Sequence, residues 1–213
     1  MAIDDLLDEH EQSERVRTWL RQNGAGILGG VILGIAAIGG WQWWQKEQVG
    51  KLAEANSRYD AVSRSLQSKN LDEAAKEVAA LEGGKAGIYA DLAALELAKA
   101  QVEAGKNDDA IKTLRGMKAE GEFKALIDQR IARLLIETGK PDEALALLAQ
   151  ADDSAALEIR GDALVAQDKR EQARELYGQS LAKLDVAAPQ RRLLEIKLTD
   201  AGGSVPDPAA EKI

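Results

Sequence analysis

The chain contains no cysteine, and this absence excludes several kinds of chemistry. Without thiols there is no disulfide, no thiolate nucleophile and no cysteine-ligated zinc. The single histidine, His10, lies in an acidic stretch at the N-terminus. The rest of the chain therefore has no histidine for a catalytic triad, a metal site or an imidazole acid or base. The sequence predicts a non-enzymatic protein with no cofactor and no metal.

An excess of basic residues is also missing. The 213 residues include 36 acidic and 28 basic side chains, which gives a formal net charge of −8. Binding nucleic acid through its phosphates needs a basic stripe, so the charge argues against this function. Aromatic residues and prolines are few, and no segment alternates apolar and polar residues as half-buried strands do. Abundant Ala, Leu, Glu and Lys instead predict an all-α fold.

One stretch, GAGILGGVILGIAAIGGWQWW at residues 24–44, lacks any charged side chain. Its 21 residues in a helix cover roughly 31 Å, close to the hydrocarbon thickness of a bilayer. The strongly apolar side chains supply about −3 kcal/mol of insertion free energy, of which the seven glycines remove a part. The sequence predicts a transmembrane helix, bracketed by tryptophans that suit the two membrane interfaces: Trp19 on one side and Trp41, Trp43 and Trp44 on the other.

The residues that flank this stretch bear on its fate and orientation. A cleaved signal peptide opens with a short positive region, whereas residues 1–23 hold six acids and three arginines, so we favour a retained anchor. Those three arginines face only Lys46 and Lys51 on the other side, which favours a cytoplasmic N-terminus by a margin of one charge. Residues 3–20 are either a short amphipathic helix that binds a partner or an exposed tail.

Four segments after the apolar stretch share one residue pattern. Each has a polar turn, an acidic residue two before an alanine and an apolar residue four after it. Acids in the first turn of a helix face its unpaired N–H groups, Pro141 suits that turn, and Gly105 and Gly139 suit a left-handed end to the preceding helix. The segments are KNLDEAAKEV, GKNDDAIKTL, GKPDEALALL and DKREQARELY, and their alanines (Ala74, Ala110, Ala144, Ala173) are 36, 34 and 29 residues apart.

A second helix is predicted before each turn. Small residues on both helices suit close antiparallel packing, so each unit reads as a helix–turn–helix whose apolar faces are covered when units stack. Another antiparallel helix bundle is the alternative, and the recurring period favours the repeat. The positions twelve residues before the aligned alanines are Val62, Ala98, Ala132 and Gly161.

This pattern resembles the tetratricopeptide repeat, whose consensus has a small residue on the first helix and an alanine on the second, twelve apart. The clearest copies are 92–114 and 126–148, and a third is 157–177. The copy around 58–78 is degenerate, because Arg58 and Ser65 stand where bulky apolar residues are usual. It is either a full repeat or a cap continuous with the helix that leaves the apolar stretch. The residues predicted to shape the repeats are Ala98, Ala110, Ala132, Ala144, Gly161 and Ala173.

The whole layout is similar to the YfgM-like family of ancillary SecYEG translocon subunits. The segments MAIDDLLDEHEQSERVRTWLRQNG and RGDALVAQDKREQAR carry the resemblance most specifically. It implies a bacterial inner-membrane protein with a cytoplasmic N-terminus and a periplasmic repeat domain. The implied partners are the SecYEG translocon, a membrane-anchored periplasmic chaperone of the PpiD type and exported client proteins. The alternative is an inner-membrane tetratricopeptide scaffold for envelope assembly or stress signalling.

Two surfaces are candidate binding sites. Repeat arrays bind partners in the concave groove lined by the first helix of each pair, and the predicted groove residues are Lys99, Val102, Arg133, Ile136, Asp162 and Val165. Each of these is otherwise an ordinary solvent-facing residue. In the apolar stretch, three glycines four residues apart (Gly26, Gly30 and Gly34) form a smooth stripe that lets another helix approach, although glycine is common in spans generally.

These observations divide the chain into five expected parts. They are a cytoplasmic acidic tail (1–23), a transmembrane helix (24–44), a connecting helix with the degenerate first repeat (45–85), tetratricopeptide-like repeats (86–198) and a flexible C-terminal tail (199–213).

Overall fold

A computed structural model describes residues 2–83 and 87–205, and the side chains of 13–83 and 87–205. Within these ranges all regular secondary structure is helical, so the prediction of an all-α fold is confirmed. The helices are α1 (Ala2–Gln67), α2 (Leu71–Glu82), α3 (Ile88–Glu103), α4 (Asn107–Gly116), α5 (Gly121–Glu137), α6 (Pro141–Leu147), α7 (Ser154–Ala166), α8 (Arg170–Lys183) and α9 (Arg191–Asp200).

The chain divides into two compact units, the first ending at Glu54 and the second beginning at Ala55. The first consists of the greater part of α1, which is helical from Ala2, so the backbone of the acidic stretch is helical too. The most apolar 18-residue window in this helix has a mean hydropathy of 1.8, and none of it is buried. In the described ranges, α1 is the one helix long and apolar enough to cross a membrane.

The second unit has a core that continues from one helix pair to the next. The end of α1 packs with α2 and α3 around Val62, which is fully buried. A second cluster joins α3 to α7, and a third joins α7, α8 and α9. Met117 packs against the first and second clusters, and Leu145 against the second and third. The shared side chains make one extended core, as stacked repeats require.

The four turns inside the helix pairs share one backbone conformation. Gly105 and Gly139 have φ of +72° and +74°, which confirms the predicted left-handed helix ends. The equivalent residues Lys69 and Asp168 also have positive φ, +57° and +60°, although side chains rarely adopt this conformation. In every turn the next amide donates to the carbonyl five residues back, for example from Lys140 N to Leu135 O at 2.7 Å.

The small residues at the helix crossings are buried. Ala132 and the four aligned alanines are between 0 and 1% exposed, and Ala98 is 4% exposed. At Gly161 a Cβ atom would lie 2.4 Å from Cε1 of Tyr177, far inside contact distance. Tyr177 occupies the position held by a smaller aliphatic residue in the other units. The aromatic ring therefore takes the room that a side chain at position 161 would need.

Packing continues past residue 198, where the sequence places the start of a flexible tail. Helix α9 runs to Asp200, and Ala201 is only 8% exposed. The amide of Gly203 then donates to the carbonyl of Leu198 at 2.8 Å, so α9 ends in the same way as the first helix of each repeat. The remainder of the expected tail, 206–213, and the expected boundary at residue 85 lie outside the described residues.

Candidate partner-binding groove

An apolar cavity in the second unit lies between α3 and α5, the first helices of two successive pairs. Leu114 and Leu134 form its buried floor, and Val102 at its side is 36% exposed. The small Ala98 leaves room there, because a larger side chain would fill the space between the helices. The cavity has a volume of about 410 Å³ and is lined by Leu95, Ala98, Lys99, Val102, Glu103, Leu114, Arg130, Arg133 and Leu134.

Charged side chains surround this apolar floor, and two of them are not neutralised. Lys99 lies 3.8 Å from Glu103, an exposed pair on α3. Arg130 and Arg133 are exposed on α5 one helical turn apart. Neither has an ion-pair partner within the part of the chain that the structure describes. We call this cavity with its two arginines the α3–α5 groove.

The structure brings some of the predicted groove residues together and separates others. Lys99, Val102 and Arg133 line the α3–α5 groove. Ile136 is partly buried against the core cluster beside it. Asp162 and Val165 are on α7 and do not line this cavity; Val165 is 39% exposed. The predicted positions therefore fall into a cavity on α3 and α5 and a separate surface on α7.

On α7, Asp162 is held by an intramolecular network. Its carboxylate accepts hydrogen bonds from the Tyr177 hydroxyl at 2.8 Å and from Lys197 Nζ at 2.7 Å. Lys197 also donates to Glu158 at 2.6 Å. Burial lowers the pKa of Lys197, but the hydrogen bonds to Asp162 and Glu158 raise it more, and the net direction is upward. The Asp162 carboxylate is therefore bonded to Tyr177 on α8 and to Lys197 on α9.

On the side of α3 that faces α1, the Glu96 carboxylate also accepts hydrogen bonds from within the chain. The Tyr59 hydroxyl donates to one carboxylate oxygen of Glu96 at 2.6 Å, and Ser63 donates to the other at 3.2 Å. The hydrogen bond to Glu96, followed by burial, raises the pKa of Tyr59. In the α3–α5 groove, by contrast, Arg130 and Arg133 have no ion-pair partner among the described residues.

Some residues that line the α3–α5 groove were not among those predicted from the sequence. Arg130 lies one turn before the predicted Arg133, and Leu95 lies one turn before the predicted Lys99, so helical spacing from the predicted positions gives both. Leu114 lies on α4, and the sequence marks it only as the apolar residue four after Ala110 in the repeat pattern. Tertiary packing decides that this buried residue also faces the cavity.

The paired carboxylates in the repeat turns take part in ion pairs. Asp108 accepts from Lys140 at 2.7 Å, and this hydrogen bond, with the charge of Lys140, lowers the pKa of Asp108. Glu143 pairs with Arg115 at 3.2 Å. Across the described residues, no group of three or more His, Cys, Asp or Glu side chains is placed to hold a metal ion.

In the first unit, the glycine stripe and the tryptophans lie on open helix surface. A Cβ atom added at Gly26, Gly30 or Gly34 would meet nothing within 4 Å. The rings of Trp41 and Trp44 are 5.3 Å apart and tilted by 39°. The stripe is therefore accessible to another helix, as close packing in a membrane requires.

Comparison with known proteins supports the fold. A family model described as a tetratricopeptide repeat-like domain matches residues 17–203. The crystal structure of nearly identical TPR-like repeats from Podosopora anserina superimposes with a TM-score of 0.52. The sequences are 19% identical, and the match covers 71% of this chain and 86% of that one. This likeness concerns the fold alone.

Curated relatives match almost the whole chain. The ancillary SecYEG translocon subunit of Escherichia coli K12 is 29% identical over 201 residues, which cover 91% of this chain and 96% of the relative. The ancillary SecYEG translocon subunit of Neisseria gonorrhoeae is 27% identical over 201 residues, 90% of this chain and 96% of the relative. Because the repeat-like domain model matches residues 17–203, which is most of the chain, the chain belongs to the tetratricopeptide repeat-like family and, within it, to the YfgM-like group.

Proposed function

We propose that the protein is a membrane-anchored, non-enzymatic ancillary subunit of the Sec translocon that binds protein partners through its repeats. The observation that carries this proposal is the α3–α5 groove, an apolar cavity with two uncompensated arginines, in a chain whose relatives are ancillary SecYEG subunits. A cavity of about 410 Å³ has the size of a site for a few peptide side chains. Of the groove residues predicted from the sequence, Lys99, Val102 and Arg133 line this cavity.

We further propose that residues 24–44 cross the bacterial inner membrane, with residues 1–23 in the cytoplasm and the repeats in the periplasm. Support comes from the exposed apolar surface of α1, because a bilayer solvates such a surface whereas water does not. In this topology Trp19 lies at the cytoplasmic interface, and Trp41, Trp43 and Trp44 lie at the periplasmic one. The repeats then face newly exported proteins.

The partners that follow from this position are the SecYEG translocon, a membrane-anchored chaperone of the PpiD type and exported clients. Within the membrane, the stripe of Gly26, Gly30 and Gly34 is the proposed packing face for a partner helix, since small residues let two helices approach closely in lipid. The repeat domain handles partners outside the membrane.

Co-purification tests the proposal directly. Tagged full-length protein is isolated from native membranes in a mild detergent, and the recovered proteins are quantified. Enrichment of SecY, SecE or SecG supports the proposal, and recovery of only cell-wall or signalling proteins overturns it. Reporter fusions at both termini test the orientation, which a cytoplasmic C-terminus would contradict. Turnover of any substrate by the purified protein would contradict the non-enzymatic role.

A further inference from the structure

The α3–α5 groove combines two recognition elements, an apolar floor and a pair of arginines at its rim. The floor is hydrocarbon: Leu114 and Leu134 are buried, and the side chain of Val102 is 36% exposed beside them. An apolar side chain that enters this space gains roughly 25 cal/mol for each Å² removed from water. The floor therefore favours a ligand with at least one large apolar side chain.

The arginines at the rim define the polar part of the ligand. Several cations of the repeat domain bind carboxylates of the chain itself, as Lys140 does with Asp108 and Lys197 with Glu158. Arg130 and Arg133 have no such partner in the described ranges, although the sequence has eight more acidic than basic residues. A guanidinium group pairs with a carboxylate through two parallel hydrogen bonds, so an acidic ligand matches this rim in charge and geometry.

We propose that the α3–α5 groove binds an internal segment of a partner protein in which Asp or Glu side chains lie next to Leu, Ile or Phe. This inference rests on the proposed function and specifies the partner chemistry of the same site. The segment is internal because residues three apart on a helix have Cβ atoms about 5–6 Å from each other. Two neighbouring side-chain carboxylates can give each arginine its own bidentate partner, whereas a single terminal carboxylate can do so for only one of them.

A peptide library with blocked ends tests this proposal. Randomised ten-residue peptides, acetylated and amidated so that carboxylates come from side chains alone, are selected on the full-length protein in detergent micelles. We expect Asp and Glu next to Leu, Ile or Phe to be enriched over the unselected library. Raising the salt concentration should weaken this selection, because screening reduces attraction between exposed charges.

Charge reversal provides the sharper comparison. In the Arg130→Glu/Arg133→Glu variant, the selected peptides should carry Lys or Arg instead of Asp or Glu. The matched control is Arg174→Glu/Arg192→Glu, which reverses two exposed arginines on α8 and α9 that also lack an ion pair in the part of the chain described. It should keep the acidic selection. The milder Arg133→Gln should weaken binding of the best selected peptide by about fivefold, and circular dichroism checks that each variant is folded.

Some results would overturn the inference about the groove ligand, and others would overturn the proposed function. This inference is overturned if the selected peptides are apolar but not acidic, or if no peptide is selected. It is also overturned if acidic peptides are still selected after both groove arginines are reversed. If the blocked library gives no selection but the same library with free C-termini does, the inference is overturned in favour of a terminal carboxylate. Recovery of translocon subunits from membranes is measured separately, so its persistence leaves the proposed function standing when the inference fails, and its loss overturns the proposed function.

Discussion

Replacing Gly161 with alanine should destabilise the repeat domain, although alanine normally favours a helix. The new Cβ would lie 2.4, 2.7 and 3.0 Å from Cε1, Cδ1 and Cζ of Tyr177. The ring has little freedom to move, because Tyr177 is 2% exposed and its hydroxyl is bonded to Asp162. Overpacking of this kind costs about 1–3 kcal/mol, and the helix propensity of alanine returns about 1 kcal/mol. Because the shortest of these distances is 2.4 Å, we expect a cost near the upper end of that range and therefore a net loss of about 2 kcal/mol.

Gly178 offers a matched control on the neighbouring helix α8. A Cβ atom at this position would meet nothing within 4 Å. Gly178→Ala should therefore gain up to about 1 kcal/mol from helix propensity alone. Urea unfolding of the full-length protein, followed by far-ultraviolet circular dichroism, measures both. Tryptophan fluorescence is unsuitable, since all four tryptophans lie in α1 before the repeat domain.

A double-mutant cycle assigns the cost of Gly161→Ala to the ring. In a Tyr177→Leu background the ring is absent, so the added methyl group should cost at least 1 kcal/mol less than in the wild type. Equal stability changes for Gly161→Ala and Gly178→Ala would refute the steric argument. So would a cost at position 161 that is the same in both backgrounds.

Three further predictions follow from the turns, the ion pairs and the anchor. Lys69→Gly should raise the free energy of unfolding by about 0.5–1 kcal/mol because Lys69 has positive φ, whereas Gly139→Ala should lower it by about 1 kcal/mol. Urea unfolding measures both, and a loss of stability in Lys69→Gly or a gain in Gly139→Ala would contradict the backbone argument. The pKa of Lys197 is raised above the ordinary lysine value of 10.5, so its stabilising contribution is fully present below pH 10.5 and is lost as the pH rises through the higher pKa of the folded state. The free energy of unfolding should therefore fall more steeply above pH 10.5 in the wild type than in Lys197→Met. Equal slopes in alkaline unfolding curves would rule this out. Gly30→Leu/Gly34→Leu should reduce co-purification of membrane partners while leaving insertion intact. Gly29→Leu/Gly40→Leu places the same bulk on a different helix face and should leave co-purification unchanged. Unchanged co-purification in the Gly30→Leu/Gly34→Leu variant would refute the packing face.

Much of the repeat architecture follows from the sequence, because local rules determine it. An acidic first turn, a left-handed residue before it and an alanine at the crossing mark each turn, and Gly105 and Gly139 have the positive φ that their positions predict. Lys69 and Asp168 adopt the same conformation, which their side chains do not predict. In those two turns the hydrogen bonds of the helix end and the packing of the pair prevail over the residue preference.

Features that depend on contacts between distant residues were not predictable. Helix α9 is not followed by the aligned alanine of the repeat pattern, so that pattern did not indicate that Lys197 would reach Asp162 and Glu158. Similarly, Gly161 matched the small residue of the repeat, but its strict requirement for glycine depends on where the ring of Tyr177 lies. The set of cavity-lining residues likewise depends on how α3, α4 and α5 pack together.

We propose that the α3–α5 groove of this membrane-anchored protein meets partners of the Sec translocon. Site-specific photo-crosslinking in native membranes tests it most directly, with the probe at Val102 in the groove and, as a control, at the exposed Gln179 on α8. We predict crosslinks from position 102, but not from position 179, to translocon subunits or to a chaperone bound to them. Identical products from both positions, or products from position 102 that include neither a translocon subunit nor a chaperone bound to one, would contradict the claim.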